Sequence, residues 1–355
     1  MIASSKWKDI LSRVITTPEA LPAFMEVDRK ELQNVVDKYP MRINPYYLNL
    51  IRYKGDPIYR QCIPDPMEFA ENKGLVDPLN EDGLSPVQGL THRYPDRVLF
   101  LISSQCAMYC RFCNRKRKVG HASMVTTESI REGLSYIRSH KEIRDVLLSG
   151  GDPLLLSNSK LHFILSELRS VSHVEIIRIG TRVPCTLPQR ITPQLVGMLK
   201  KFHPLYINTH FNHPIEITTE STIACERLAN AGIPLGCQTV LLRGVNDDLQ
   251  VMKSLMQGLL KIRVRPYYLF QADLARGTSH FWVPLRKGLE IIAGLQGHTS
   301  GLCIPHFAVD LPGGGGKVPL LPEYVLGVKG DSLIIRNYMG KKQLYPLDAR
   351  ATFNR

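Results

Sequence analysis

The sequence CAMYCRFC, at residues 106–113, carries Cys106, Cys110 and Cys113 at a Cys-x3-Cys-x2-Cys spacing. It directly follows the apolar run RVLFLIS at residues 97–103, which predicts a buried strand. Three thiolates on one short loop suit an iron–sulfur cube in which three irons take cysteine ligands and the fourth stays open. A structural zinc site is the main alternative, but it usually needs a fourth ligand, and none follows at close spacing. Buried thiols without metal are a further possibility, whereas three cysteines cannot pair internally as disulfides.

The composition indicates a globular protein. The 355 residues, 44% of them hydrophobic, are enough for one large core or two domains. No apolar run approaches the roughly 18 residues of a membrane span, and charges interrupt MIASSKWKDIL before a signal-peptide core could form. We therefore expect a cytoplasmic protein with no membrane partner. Its other cysteines are scattered, as expected in a reducing compartment, at Cys62, Cys185, Cys225, Cys237 and Cys303.

The formal net charge of +13 does not by itself identify a partner. The densest basic run is residues 115–118, Arg-Lys-Arg-Lys, immediately after the cysteine loop. Such a run is usually a solvated face or a nucleic-acid patch. Because this one adjoins a candidate metal site, part of it could instead face an anionic ligand.

Strand-like and helix-like segments alternate from Arg97 onward. Segments of helical period, such as residues 159–171 and 192–202, lie between most of the strand-like runs. One strand and one helix in about 30 residues form a βαβ unit, and six in succession predict an α/β fold with a parallel sheet curled into all or part of a barrel. The six runs are RVLFLIS (97–103), DVLLSGG (145–151), VEIIRIGT (174–181), LYINTHF (205–211), PLGCQTVLL (234–242) and VRPYYLFQ (264–271).

The residues before this alternation are predicted to be helical and rich in connections. TPEALPAFMEV and DRKELQNVVDKY have helix-start signals at Thr17 and Asp28. Residues 56–92, rich in Pro, Gly, Asp and Asn, predict a loop-dominated connection. We therefore divide the chain into a helical N-terminal region (1–92), a partial barrel (93–285) and a C-terminal segment (286–355).

Polar residues follow the predicted strands. In a (β/α) barrel the active site lies at the C-terminal ends of the strands, so functional residues are expected there. Packing does not readily explain such a collection, although a single member, such as His210, can be purely structural. In strand order the residues are Gly150, Gly151 and Asp152; Thr181 and Arg182; His210; Gln238 and residues 243–248; and Gln271 and Asp273.

A second chemical element is DLPGGGGK at residues 310–317. Four consecutive glycines give the backbone great freedom, at an entropic cost. Lys317, at the end of this run, can enter a site where desolvation lowers its pKa and favours the nucleophilic amine that a Schiff base needs. A flexible loop and a phosphate-binding loop are alternatives, but the usual phosphate loop has Ser or Thr after its lysine, where this chain has Val318.

The cysteine loop, the Gly-Gly-Asp and VDLPGGGGK together resemble the lysine 2,3-aminomutase family of radical S-adenosylmethionine enzymes. The resemblance covers nearly the whole chain, including HRYPDRVLFL, LPQRITPQLV, NTHFNHP, LLRGVNDD and RPYYLFQADL. It implies a partial (β/α)6 TIM-like barrel with a C-terminal segment that carries the cofactor lysine. It also implies three cofactors: a 4Fe–4S cluster, S-adenosylmethionine and pyridoxal 5′-phosphate.

By this resemblance, one group of residues holds the cluster and S-adenosylmethionine. The iron without a cysteine ligand takes the amino and carboxylate groups of S-adenosylmethionine, and the glycines after the second strand let the backbone approach that amino group. The implied contacts are Cys106, Cys110 and Cys113 for the cluster, Phe112 for the adenine, and Gly150, Gly151, Asp152, His210 and Gln238 for the rest of S-adenosylmethionine.

A second group holds pyridoxal 5′-phosphate and the substrate. Guanidinium groups bind phosphate in a bidentate manner, which suits the two arginines that the resemblance assigns to the cofactor phosphate. Two converging carboxylates repel each other unless a cation lies between them, so an acidic pair selects a substrate that ends in an amine. The implied contacts are Lys317, Arg93 and Arg97 for pyridoxal 5′-phosphate, Arg115 for the substrate carboxylate, and Asp273 and Asp310 for the distal ammonium of lysine.

The implied reaction interconverts L-lysine and β-lysine by radical 1,2-amino migration. The reduced cluster cleaves S-adenosylmethionine, the resulting 5′-deoxyadenosyl radical takes hydrogen from the β-carbon, and hydrogen returns after the nitrogen has moved. The implied partners are L-lysine and an electron donor such as flavodoxin or ferredoxin. A homo-oligomer is expected, and nucleic acid is not.

Two positions depart from the family pattern. The C-terminal tail lacks the zinc-binding cysteine group of the well-known bacterial enzymes, and Asp248 stands where another of those cysteines aligns, so structural zinc is in doubt. Phe112 replaces the histidine that is common between the last two cluster cysteines.

Three alternatives remain open. A sister enzyme acts on a lysine of elongation factor P, whose RNA-adjacent location would suit the +13 charge, although VDLPGGGGK is altered in those relatives. A second alternative is a glutamate or arginine 2,3-aminomutase, although a glutamate enzyme should lack the acidic pair Asp273 and Asp310. A zinc-stabilised nucleic-acid-binding module would explain the cysteines and the charge but not Lys317.

Overall fold

The structure, a computed structural model, describes residues 6–70 and 73–348. In these residues the main feature is a nine-stranded sheet whose strands follow one another in chain order. Strands β2 to β8 are parallel to their neighbours, and β1 and β9 pair antiparallel at the two edges. The strands are β1 (Leu90–Tyr94), β2 (Arg97–Ser103), β3 (Asp145–Gly150), β4 (Ile176–Gly180), β5 (Leu205–Thr209), β6 (Leu235–Leu241), β7 (Arg265–Gln271), β8 (His306–Leu311) and β9 (Gly316–Pro319).

The six strands predicted from the sequence correspond to β2 to β7, and the predicted barrel-like α/β fold is confirmed. Residues along β3 and β6 alternate between buried and half-buried. Because successive side chains point to opposite faces of a strand, one set packs under the surrounding helices and the other faces the barrel interior. Gln238 belongs to the half-buried set of β6. Strands β1, β8 and β9 were not predicted.

Helices cover the outer face of the sheet and also make up much of the N-terminal region. Helix α6, for example, buries Ile130, Leu134 and Ile137, which recur at helical spacing. The helices predicted at 159–171 and 192–202 are confirmed as α7 and α9. The helices are α1 (Lys6–Ser12), α2 (Arg29–Lys38), α3 (Pro45–Leu48), α4 (Pro57–Cys62), α5 (Met67–Ala70), α6 (Thr127–Ser139), α7 (Asn158–Arg169), α8 (Val183–Thr186), α9 (Pro193–Leu199), α10 (Thr219–Asn230), α11 (Leu249–Lys261) and α12 (Leu285–Leu295).

One prediction for the N-terminal region is wrong. The segment from Thr17 forms two single 3-10 turns and not an α-helix, because Pro22 has no backbone N–H to continue a helix and stands in extended conformation between the turns. Residues 56–92 consist mostly of turns and loops, as predicted, with two short helices and part of β1 among them. Asp56 caps α4 by accepting hydrogen bonds from two backbone amides, and α5 and most of β1 follow. The helix start at Asp28 is confirmed by its bond to the Glu31 backbone.

Side-chain bonds join the two edges of the sheet. The Tyr94 hydroxyl of β1 accepts a hydrogen bond from the Lys317 backbone N–H of β9 at 2.9 Å. Next to it, Arg93 Nη1 donates to Asp310 Oδ1 of β8 at 2.7 Å. The sheet therefore forms a nearly closed barrel, and the lysine proposed to carry a cofactor lies at the junction.

A separate three-stranded antiparallel sheet follows the barrel, with β10 (Val325–Lys329), β11 (Ser332–Arg336) and β12 (Lys342–Pro346). The proposed division of the chain does not coincide with element ends, since β1 extends across the boundary at 92 and α12 across that at 285. No helix among the described residues is both long and apolar enough to cross a membrane.

Candidate active site

The three predicted cluster cysteines lie on a loop between β2 and α6 and line one cavity, together with Tyr39 and Met108. Burial raises the pKa of Cys106 well above its ordinary value and that of Cys113 to about 11. Iron binding would reverse this shift, because a metal ion deprotonates a coordinating thiol outright. Three thiols around one cavity fit a cluster in which each cysteine binds a different iron. Within the described ranges, no three His, Cys, Asp or Glu side chains are arranged to share a single metal ion.

The N-terminal region fixes this loop through its backbone. The Tyr109 amide donates to the Arg42 carbonyl and the Arg111 amide to the Gln61 carbonyl, each at 2.9 Å. Asn44 Nδ2 donates to the carbonyls of Ala107 at 3.1 Å and Thr186 at 2.9 Å. The N-terminal region is therefore part of the site framework, which its predicted role as a connection did not indicate.

A buried ion-pair cluster holds the same loop by its side chains. Arg111 is 1% exposed and donates from Nε and Nη2 to the two carboxylate oxygens of Glu68, at 2.8 and 2.6 Å. Lys116 Nζ also donates to Glu68, at 2.6 Å. Burial alone would raise the pKa of Glu68, but Arg111 and Lys116 lower it below its ordinary value.

The basic run 115–118 faces acidic side chains of the protein itself. Each of its four side chains forms an ion pair with an acidic side chain of residues 68–82, so the charges of this run are compensated within the chain. The pairs are Arg115–Glu81, Lys116–Glu68, Arg117 with Asp77 and Asp82, and Lys118 with Glu81 and Asp82.

Gly150 and Gly151 bring the end of β3 against the start of the cysteine loop. Gly150 has a φ of 132°, and a Cβ there would lie 2.2 Å from the Ser103 carbonyl oxygen. A Cβ on Gly151 would lie 2.4 Å from the Gln105 carbonyl oxygen. Glycine is thus required by the protein's own backbone contacts. The predicted approach to the methionyl amino group of S-adenosylmethionine stays a prediction.

Asp152 ties the ends of β3 and β4 together. It accepts hydrogen bonds from the Thr181 hydroxyl at 2.6 Å and from the amides of Arg182, Val183 and Leu154 at 2.7, 3.1 and 3.1 Å. Burial raises its pKa to about 6, with these bonds opposing the shift. Both carboxylate oxygens thus have protein donors, and a direct contact with S-adenosylmethionine stays a prediction.

Phe112 and His210 meet beside the cysteine loop. Their ring centroids are 5.6 Å apart, and Phe112 also makes an edge contact with Phe281 at 6.1 Å. Burial and the charge of Arg182 lower the pKa of His210 to about 3, so the imidazole is neutral near pH 7. Its Nε2 lies 2.9 Å from Asn212 Oδ1. The roles of both residues, and that of Gln238, toward S-adenosylmethionine stay predictions.

Lys317 lies at the other side of the site. Its Nζ donates to Asp310 Oδ2 at 3.0 Å and lies 5.5 Å from the centre of the Phe270 ring. The other oxygen of Asp310 accepts from Arg93, so this carboxylate bridges two cations. Arg97 is more exposed, pairs with Asp96 at 2.8 Å and stacks on Tyr94 at 4.0 Å.

The other predicted substrate residues approach the same area. Burial raises the pKa of Asp273 to about 6, the Asp310 charge adds to the shift, and Lys317 and Arg115 oppose it. Asn114 Nδ2 donates to Asp273 Oδ2 at 2.7 Å. Arg115 Nε donates to both oxygens of Glu81, at 2.9 and 3.1 Å. The structure thus brings Arg115, Asp310 and Lys317 within electrostatic range of Asp273.

Comparison with known proteins agrees with this arrangement. A Radical SAM superfamily model matches residues 100–255 and a Lysine-2,3-aminomutase model matches residues 292–352. The L-lysine 2,3-aminomutase of Clostridium subterminale is 52% identical over 349 residues, which cover 96% of this chain and 84% of that protein. The chain belongs to the lysine 2,3-aminomutase family. It is therefore an isomerase of the radical S-adenosylmethionine superfamily.

The family also includes an enzyme that is named for a different substrate. The glutamate 2,3-aminomutase of Clostridioides difficile is 46% identical over 342 residues, covering 95% of this chain and 81% of that protein. Among solved structures, Streptococcus suis SuiB bound to S-adenosylmethionine matches with a TM-score of 0.37 and 12% identity over 50% of this chain and 39% of that chain. A structural match this loose carries no weight here.

The predicted cofactor set of a 4Fe–4S cluster, S-adenosylmethionine and pyridoxal 5′-phosphate is that of the lysine 2,3-aminomutase family. One departure from the family pattern has a local explanation. Asp248 caps α11 by accepting hydrogen bonds from the amides of Gln250 and Val251, at 2.8 and 3.1 Å. An aspartate at this position therefore stabilises a helix start.

Sequence reasoning missed several residues of this aminomutase site. All but Asn114 lie far from the motifs in sequence, and they bind the motif residues through carboxylate, amide or hydroxyl groups. Residues 65–82 are rich in acidic side chains, and this was the available signal for Glu68 and Glu81, whereas Gln61 and Glu216 had none. The residues missed are Asn44, Tyr47, Gln61, Glu68, Glu81, Asn114 and Glu216.

Proposed function

We propose that this protein is an L-lysine 2,3-aminomutase that interconverts L-lysine and β-lysine. The observation that carries the proposal is the convergence of Asp273 and Asp310 beside Lys317, with Arg115 nearby. Asp310 binds the ammonium of Lys317 at 3.0 Å. The same carboxylate pair suits the distal ammonium of a lysine substrate, because buried carboxylates need a cation between them.

The remaining charges fit the other end of lysine. Arg115 carries a planar guanidinium suited to a carboxylate, and Glu81 holds it through bonds from both Nε and Nη2. Burial alone would lower the pKa of Arg115, but Glu81 raises it, so the side chain stays cationic. In our proposal Arg115 binds the substrate carboxylate, while Asn114 orients Asp273 at the opposite end.

Residue assignments for the cofactors follow the same geometry. Cys106, Cys110 and Cys113 would ligate the cluster, and Lys317 and Arg93 would bind pyridoxal 5′-phosphate. When bound, the cofactors supply the radical and the electron delocalisation that amino migration needs. The neutral imidazole of His210 and the Phe112 ring give S-adenosylmethionine a largely apolar wall. Gly150, Gly151, Asp152, Gln238 and Arg97 complete the proposed contacts.

The test uses anaerobically reconstituted protein with L-lysine, S-adenosylmethionine, pyridoxal 5′-phosphate and dithionite. We expect β-lysine from the wild type and none from Lys317→Ala. If the wild type cleaves S-adenosylmethionine without making β-lysine, the radical chemistry stands and the proposed substrate is wrong. A panel containing glutamate, arginine and elongation factor P then identifies the substrate.

Glutamate is the alternative with a named relative. A glutamate side chain ends in a carboxylate, which Asp273 and Asp310 would repel. The net charge of +13 is one argument for a protein-bound lysine as substrate. It is weakened because the four cations of the basic run are already paired within the chain. Free lysine is therefore the substrate we propose. We also propose that the enzyme is a cytoplasmic homo-oligomer, that a flavodoxin or ferredoxin reduces it, and that it has no nucleic-acid partner.

A further inference from the structure

Arg182, at the C-terminal end of β4, directs one guanidinium nitrogen at a cysteine sulfur. Its Nη1 lies 2.9 Å from Cys110 Sγ, and its side chain is 9% exposed. Cys110 is one of the three proposed cluster ligands. Neither the mechanism proposed above nor the comparisons give this arginine a role.

Oxygen acceptors fix the orientation of the guanidinium. Arg182 Nη2 donates to Gln61 Oε1 at 2.6 Å, to Glu216 Oε1 at 2.7 Å and to the Tyr47 hydroxyl at 3.3 Å. Glu216 is fully buried and is itself fixed by the Tyr47 hydroxyl and the Asn212 amide, both at 2.6 Å. The acceptors around Nη2 prevent the guanidinium from turning, so Nη1 remains within hydrogen-bond distance of Cys110 Sγ.

An N–H donor on a cluster sulfur affects the redox couple. Reducing the cluster by one electron adds negative charge to its sulfurs, and a hydrogen bond from a buried cation stabilises that charge. We infer that Arg182 is a positioning residue that raises the reduction potential of the proposed cluster through its bond to Cys110. This inference rests on the proposed function only in that the cysteines must carry a cluster.

The first test uses the wild-type protein and needs no turnover. Protein whose arginines carry nitrogen-15 only in the guanidinium group is reconstituted with iron and sulfide, reduced with dithionite, and measured by pulsed electron paramagnetic resonance without S-adenosylmethionine. This label leaves out the Arg115 backbone amide, which bonds to Cys113. We expect a nitrogen-15 hyperfine coupling to the reduced cluster. A labelled, fully loaded wild type without such a coupling overturns the inference.

The second test compares matched variants by redox titration of the loaded cluster. Arg182→Lys keeps the positive charge, but a single ammonium held by Glu216 and Gln61 cannot also maintain the guanidinium's contact with the sulfur. Arg190→Lys is the control, because Arg190 is also buried and donates instead to the Leu154 and Leu156 carbonyls and to Asn158 Oδ1. We expect a more negative potential and loss of the nitrogen-15 coupling for Arg182→Lys only.

The outcomes separate this inference from the proposed function. Equal potentials in the two lysine variants overturn the role of Arg182, even if the wild type makes β-lysine. If Arg182→Lys does not take up iron, the labelled wild type decides alone. A wild type that never forms a cluster overturns the proposed function itself, which iron and sulfide analysis shows before any titration.

Discussion

The cysteine loop and the segment carrying Lys317 are held in very different ways. The loop is fixed by backbone bonds to the N-terminal region and by buried ion pairs, with Arg111 only 1% exposed. Lys317 lies on an edge strand, its side chain is 34% exposed, and Gly316 before it has a φ of 85°. The Tyr94 hydroxyl of β1 accepts a hydrogen bond from the Lys317 backbone N–H and so holds this strand at the edge of the sheet.

This difference matches what each segment has to do. A cluster ligand should keep its position through every turnover, whereas a carrier lysine must bond to a cofactor and later release it. We therefore expect the two segments to respond differently to substitution.

The largest effect should come from removing a ligand in the fixed loop. Cys113→Ala should lose the cluster and both activities, S-adenosylmethionine cleavage and β-lysine formation, to below detection. Lys317→Ala should lose β-lysine formation while keeping full iron content and some cleavage of S-adenosylmethionine. Iron analysis and chromatography of 5′-deoxyadenosine check this. A Cys113→Ala protein with a full, active cluster would contradict the ligand assignment.

Next in size is the loss of the buried acid that anchors the loop. Glu68→Gln leaves Arg111 and Lys116 buried without their counter-charge, and breaking a buried pair in this way costs about 3–5 kcal/mol. Urea unfolding of the cluster-free protein measures the loss in free energy of unfolding. Glu175→Gln is the control, because Glu175 pairs with Arg144 in solvent, and its midpoint should not move. Equal midpoints in both variants would show that the loop does not depend on Glu68.

Substrate recognition should be less sensitive than either of these. Asp273→Asn removes one charge from the proposed ammonium site, and hydrogen bonds to charged groups contribute about 1.5–3 kcal/mol. We expect kcat/KM for lysine to fall about 10- to 150-fold, mostly through KM, with the iron content unchanged. Asp247→Asn, a strand-end aspartate bonded to the Gly244 amide, should leave KM unchanged. A normal KM for Asp273→Asn would exclude this aspartate from the substrate site.

The pH dependence should show the same carboxylate. Burial raises the pKa of Asp273 to about 6, above the value of about 3.9 for an unfolded aspartate. The folded protein thus holds this proton more tightly, and its stabilising contribution is lost as pH rises through 6. For binding the sign is opposite, because only the ionised form attracts an ammonium. We expect kcat/KM for lysine to fall below about pH 6 in the wild type, and the same fall in Asp273→Asn would show that another group titrates.

Local sequence patterns predicted the strands and the residues proposed to carry the chemistry. They did not predict the residues that hold these groups in position, because those contacts join residues far apart in sequence. Strands β2 to β7 could be read from apolar runs, because each run is determined within a few residues. The hydrogen bond from Arg182 to Gln61 joins residues 121 apart in sequence, and neither residue's type predicts the other as its partner. The helix expected from Thr17 failed because Pro22 outweighed a favourable start.

The smallest predicted effect concerns a residue that belongs to neither segment. Asp248 caps α11, and replacing a capping aspartate by alanine typically costs about 1 kcal/mol. Asp248→Ala should therefore lower the urea midpoint slightly, while KM for lysine and the cluster potential stay at wild-type values. The family resemblance predicts a zinc-binding cysteine at this position, where the chain has an aspartate. If Asp248→Ala changed the mass of the assembled protein in solution more than its stability, the position would act in assembly and not as a helix cap.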